Sequence, residues 1–137
     1  MKYSKLGNSE LEVSNICLGT WPIGGGMGAI EQKDAINAIH ASIDIGINFL
    51  DTAQMYLDSE YILGKAIKGK RNKIILASKL SSWKNINDIE KALENSLKNL
   101  QTDVIDLYQI HSWQESIPME DTFSKLIELK EKGYFKY

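Results

Sequence analysis

Apolar and polar positions along the chain fall into short extended runs that alternate with helical repeats. Lys2–Gly7 and Glu10–Val13 read as two short strands about the turn Gly7-Asn8-Ser9, with Leu11 and Val13 alternating with glutamates. Asn15–Gly19 is more continuously apolar, as a buried parallel strand is. Ile36, Ile39 and Ile43 then mark one face of a helix over Gln32–Ile45 that stops at Gly46. Ile47–Leu50 is a strand ending at Asp51, and a second helix opens near Ser59, capped by Asp58 or Ser59. Lys73–Ala77 is the next strand and ends at Lys79. The third helix, Asn87–Asn99, carries Ile89, Leu93, Leu97 and Leu100 on one face. Asp103–Ile110 is a strand ending at His111. The fourth helix starts with Pro118 in its first turn, presents Phe123, Leu126 and Ile127 as its apolar face, and stops at Gly133. Tyr134–Tyr137 begins one more strand. The order is a β-hairpin, four βα units and a strand stub, which predicts an α/β fold with a parallel sheet and helices outside it.

Composition narrows this picture mainly by exclusion. The 137 residues, 43% of them hydrophobic and 25% charged, suit one domain spanning residues 1–137. With 16 Lys+Arg against 18 Asp+Glu, no nucleic-acid partner is expected. No apolar run reaches the roughly 20 residues that span a bilayer, and the N-terminus lacks a signal-peptide core, so no membrane partner is expected either. Cys17, the single cysteine, rules out an internal disulfide framework and a multi-cysteine zinc site, and no metal is expected. A reduced, cytoplasmic protein is the reading that follows.

Three ionisable residues, Asp51, Lys79 and His111, each follow an apolar strand directly, and Tyr56 lies in the loop after Asp51. In a parallel barrel the C-terminal strand ends open on one face, where active sites are built, so these groups converge on one mouth. The set suits proton transfer to an oxygen. A free tyrosine titrates near about 10, a nearby ammonium favours its phenolate, and a carboxylate can hold that ammonium in place. A histidine beside them can donate a hydrogen bond to a substrate carbonyl.

Each residue alone also has an ordinary reading. Asp51 could cap the following loop, Lys79 could be a solvated charge and His111 a satisfied polar group. Gly24-Gly-Gly-Met-Gly28 fits neither phosphate-loop pattern and reads as a mobile loop over the mouth. His40 reads as a surface or packing residue, and Cys17 as a small core residue of a buried strand. Trp83 and Trp113, in loops at the mouth, could either shape a substrate pocket or cover its rim.

The chain resembles the aldo-keto reductases. The resemblance rests on Leu18-Gly-Thr-Trp21, Gly46-Ile-Asn-Phe-Leu-Asp-Thr-Ala53 with Tyr56, Ser59-Glu60 with Leu63-Gly-Lys-Ala66, Leu76-Ala-Ser-Lys79, Ser96-Leu97 with Leu100, and Asp106-Leu-Tyr-Gln-Ile-His111. It runs the whole length in the family's order. It implies the N-terminal portion of a (β/α)₈ TIM barrel plugged by the hairpin, and NAD(P)H-dependent reduction of aldehydes or ketones, with NADPH as the expected cofactor and a small carbonyl compound as substrate. By the same resemblance Tyr56 is the general acid, Lys79 the lysine that favours its phenolate, Asp51 the carboxylate paired with that lysine, and His111 the residue that orients the carbonyl. Gly19, Thr20, Trp21 and Asp51 then lie beside the nicotinamide, with Trp21 also a wall of the substrate pocket.

Two departures from the family pattern stand out. Leu57 and Asp58 replace a glycine-containing turn after the tyrosine, and Ser59 follows only three residues after Tyr56. The family's dinucleotide-binding elements after its fifth to eighth strands have no counterpart here. A closed barrel takes about 250 residues, so the chain reads as its first half. Open sheet edges then lead to an expected homodimer or larger assembly. This chain alone is expected to be incomplete and poorly active, and a catalytically silent, self-associating module is the alternative to a reductase.

Overall fold

The computed structural model describes residues 1–137. An antiparallel hairpin of β1 (Tyr3–Lys5) and β2 (Glu12–Ser14) precedes β3 (Cys17–Gly19). There follow α1 (Gln32–Asp44), β4 (Phe49–Asp51), α2 (Ser59–Ala66), β5 (Ile75–Leu80), α3 (Ile86–Leu100), β6 (Leu107–Ile110) and α4 (Met119–Glu131). Strands β3 to β6 form one parallel sheet in chain order. The stub continues it: Phe135 bridges Ile105 in parallel, and the Tyr108 N–H donates to the Tyr137 carbonyl at 2.8 Å.

The main core lies between this sheet and the helices. Leu50, Leu76 and Leu80 from alternate strand positions meet Ile39, Leu63, Ile67, Leu93 and Leu100 from the helices, all fully buried. Each such side chain contributes about 1.5–3 kcal/mol through removal from water. His40 joins the packing, its Nε2 lying 2.8 Å from the Ala66 carbonyl and tying α1 to α2. Helix α3 is the most strongly amphipathic and is firmly started: the Asn85 side chain accepts from the Asn87 N–H at 3.0 Å, and Asp88 accepts from the Asn85 N–H at 3.2 Å.

The other face of the sheet has no opposing layer, and this corrects one sequence reading. Cys17 is exposed, because β3 is an edge strand whose Cys17 and Gly19 face the open side. Burial of the thiol against the strand and the Asp51 charge still push it up to about 11, although Lys79 pulls the other way. On α4, Phe123 and Ile127 are 48% and 56% exposed, while Thr122, Leu126 and Leu129 face inward. The expected apolar face is thus two faces, one packed on α3 and the sheet, the other open beside Phe135 and Tyr137.

Two boundaries also differ. Lys79 lies within β5, and Lys73 falls in a short 3₁₀ turn. The segment before Leu107 is not a regular strand, because the Asp106 carboxylate turns inward to accept from the Leu76 N–H at 2.9 Å and to pair with Arg71 at 2.8 Å and Lys136 at 2.7 Å. Burial alone would raise this carboxyl, but those partners outweigh it and hold it below the usual carboxylate range. Pro118 stands just before α4 as its cap, not inside its first turn.

Candidate active site

Parallel pairing places the ends of β4, β5 and β6 side by side, with Asp51 opposite Ala77 and Lys79 opposite Gln109. The ammonium of Lys79 donates to Asp51 Oδ2 at 2.6 Å and to the Thr52 carbonyl at 2.8 Å. It also lies 5.0 Å from the centroid of the Tyr56 ring. Gln109 Nε2 reaches the second Asp51 oxygen at 3.5 Å. The Tyr56 ring stands edge-on to His111 at 5.4 Å and to Trp21 at 5.1 Å. Trp21, Met55, Tyr56 and His111 line a concavity of about 380 Å³ above this group. Partial burial disfavours the His111 imidazolium and the nearby Lys79 charge adds to that, so His111 lies below the ordinary histidine range despite the opposing Asp51.

Local geometry explains why Tyr56 stands where it does. The Tyr56 N–H donates to the Ala53 carbonyl at 3.0 Å, and the Ser59 N–H donates to the Tyr56 carbonyl at 2.9 Å. This tight turn puts Leu57 at φ +48°, a left-handed conformation that favours glycine. The shortened turn therefore keeps a glycine-like backbone without the glycine. Behind it, three buried hydroxyls form a chain: Thr52 Oγ1 is 2.8 Å from Ser59 Oγ, Ser59 donates to Thr20 Oγ1 at 2.6 Å, and Thr20 donates to the Asp51 carbonyl at 2.9 Å.

The glycine run is not a free loop. Its N–H groups close successive turns, Gly24 onto the Thr20 carbonyl and Gly26 onto the Trp21 carbonyl, both at 3.1 Å. A Cβ at Gly26 would overlap the Trp21 indole, and one at Gly24 would overlap the Tyr56 carbonyl. These two glycines hold Trp21 and Tyr56 by close approach.

Asp51, Tyr56, Lys79, His111 and Trp21 are thus brought together, and Gly19 lies beside Asp51 with open space where a side chain would be. Thr20 is fully buried, its hydroxyl engaged behind Asp51. The other two tryptophans part company. Trp113 is exposed, whereas Trp83 is 4% exposed and belongs to the apolar core; neither lines the concavity above Tyr56, which Trp21 does. Ser81 gave no signal in the sequence, yet its Oγ lies 3.1 Å from His111 Nδ1.

The model of the aldo/keto reductase family matches residues 15–137. The chain belongs to that family. It is 44% identical to the aldo-keto reductase YhdN of Bacillus subtilis, over 97% of this chain and 44% of that protein. The holo form of the aldo-keto reductase AKR11C1 from Bacillus halodurans superposes with a TM-score of 0.90 at 35% identity, over 100% of this chain and 49% of that one. An aldo/keto reductase from Klebsiella pneumoniae in complex with NADP and acetate is 37% identical with a TM-score of 0.81, over 91% and 44% of the two chains. The chain therefore spans about half the length of these relatives, and its four βα units have the fold of the N-terminal portion of an aldo-keto reductase barrel.

Proposed function

We propose that this chain carries the proton-transfer half of an NAD(P)H-dependent carbonyl reductase. The observation that supports it most is the packing of Tyr56 between Lys79, His111 and Trp21 at one strand-end mouth. Asp51 holds the Lys79 ammonium through a 2.6 Å contact, and the ammonium faces the Tyr56 ring. His111 donates a hydrogen bond to the carbonyl oxygen of an aldehyde or ketone, and Tyr56 gives that oxygen its proton as it becomes an alcohol. Trp21 and Met55 supply apolar walls beside the reacting group.

The residues present fit a nicotinamide: Gly19 leaves open space beside Asp51, and Trp21 offers a flat aromatic wall nearby. NADPH, when bound, supplies the hydride. Gly19, the Thr20 backbone, Trp21 and Asp51 would hold its nicotinamide end. No helix is long and apolar enough to cross a membrane.

The test is NADPH oxidation with a small aromatic aldehyde, run on the purified chain at high concentration beside Tyr56→Phe. Turnover that Tyr56→Phe abolishes supports the proposal; turnover that survives the substitution, or none at saturating NADPH, contradicts it. A second reading has its own observation in the open edge of β3 and the exposed Phe123 and Ile127. These favour self-association, in which two copies cover each other's open faces.

A further inference from the structure

Ser81 is buried just beyond the end of β5 and touches three parts of the candidate site. Its oxygen accepts from the Met55 N–H at 3.3 Å, next to Tyr56, and its own N–H donates to Gln54 Oε1 at 3.2 Å. With one acceptor position used, its proton has two nearby acceptors: His111 Nδ1 at 3.1 Å and the Lys79 carbonyl at 3.4 Å. The shorter contact is to the imidazole, and it is the one hydrogen bond the His111 ring makes within the chain.

We infer that Ser81 is a positioning residue for His111: its hydroxyl donates to Nδ1, which keeps the imidazole proton on Nε2, the nitrogen left free for a ligand. This rests on the proposed role of His111 toward a carbonyl oxygen. A neutral imidazole can donate from only one nitrogen, so the tautomer decides whether the free one is a donor or a bare acceptor. The groups facing the ring are consistent with a neutral form. Lys79 on β5 and Asp51 on β4 lie to one side, Tyr56 packs edge-on, and no carboxylate bonds the ring directly. By joining the Met55 backbone to the His111 ring, Ser81 also couples the placement of Tyr56 to that of His111.

The sequence holds only two histidines, so nitrogen-15 NMR of the whole chain resolves both rings. His40 is an internal reference, because a carbonyl oxygen 2.8 Å from its Nε2 requires a proton there. A His40→Gln variant assigns the signals. Above the histidine titration, His111 is expected to show the same pattern as His40. Ser81→Ala should mix the two tautomers and draw the two ring-nitrogen shifts together, and Ser81→Thr should restore the original pattern. A wild-type His111 protonated on Nδ1, or a Ser81→Ala spectrum indistinguishable from wild type, overturns the inference. In the turnover assay Ser81→Ala should lower kcat about tenfold with KM little changed, and Ser81→Thr should recover most of it; a fall confined to KM counts against the inference. Absent turnover beside the expected NMR pattern overturns the reductase proposal and leaves the Ser81 assignment supported.

Discussion

Lys79 and Asp51 are joined across adjacent strands by a 2.6 Å ion pair, with both side chains largely withdrawn from solvent. Parallel register sets this contact, since Asp51 ends β4 and Lys79 extends two residues past its neighbour Ala77 on β5. Asp51→Ala strands the ammonium with the Thr52 carbonyl alone, and the expected cost is about 1–3 kcal/mol of stability. Lys79→Met made in that background should cost less than it does in the wild type. Urea denaturation of the four chains measures this coupling; strictly additive losses would mean the pair is incidental.

Gly26→Ala should disturb the site without contacting any ligand. The added methyl meets the Trp21 indole, which must leave its edge-on packing against Tyr56. The expected result is a shifted tryptophan emission maximum and lower affinity for the nicotinamide end of NADPH, with helix content by circular dichroism unchanged. An unchanged emission spectrum would show that the indole was not held there.

Glu60 is buried between α2 and the sheet, where Ser78 donates to it at 2.7 Å. Burial raises its carboxyl above the ordinary range, only partly offset by the hydrogen bond from Ser78. The folded chain therefore binds this proton more tightly than the unfolded chain. Stability from Glu60 is present below the unfolded carboxyl value near about 4.3 and is lost as pH rises through the higher folded value. Glu60→Gln should accordingly match the wild type near pH 4 and exceed it increasingly toward neutrality. A thermal-melt series across pH checks this, and a difference independent of pH would contradict it.

Exposed apolar surface on α4, together with the open edge of β3, predicts self-association. Light scattering after size exclusion should give at least two chains per particle, and Phe123→Lys with Ile127→Lys should shift the population toward monomer. A well-folded wild-type monomer would contradict this.

Much of this architecture was legible because hydrophobic period switches cleanly between strands and helices. Asp51, Lys79 and His111 could be placed from their positions at strand ends, and Tyr56 from its flanking motif. The misreadings share a physical cause: linear pattern does not say what lies opposite a residue. Cys17 sits in an apolar strand, yet that strand is an edge with an uncovered face. Phe123 and Ile127 have helical spacing, yet they face away from the packed side. Asp103–Asp106 looks extended, but the needs of the buried Asp106 charge bend it. Trp83 and Ser81 lie in a loop, where no period marks the inward-facing residue. The glycine run looked mobile because close approach to Trp21 and Tyr56 leaves no trace in sequence.

The central claim is that Tyr56 and Lys79 act as one proton-transfer unit, and a double-mutant cycle on carbonyl reduction tests it most directly. Tyr56→Phe and Lys79→Met, each alone, should lower kcat by at least about a hundredfold, within the usual range for a positioned proton donor. For two residues that act as one unit, the double variant should be no slower than the slower single one. Losses that multiply in the double variant, or single variants that retain wild-type turnover, would contradict the account.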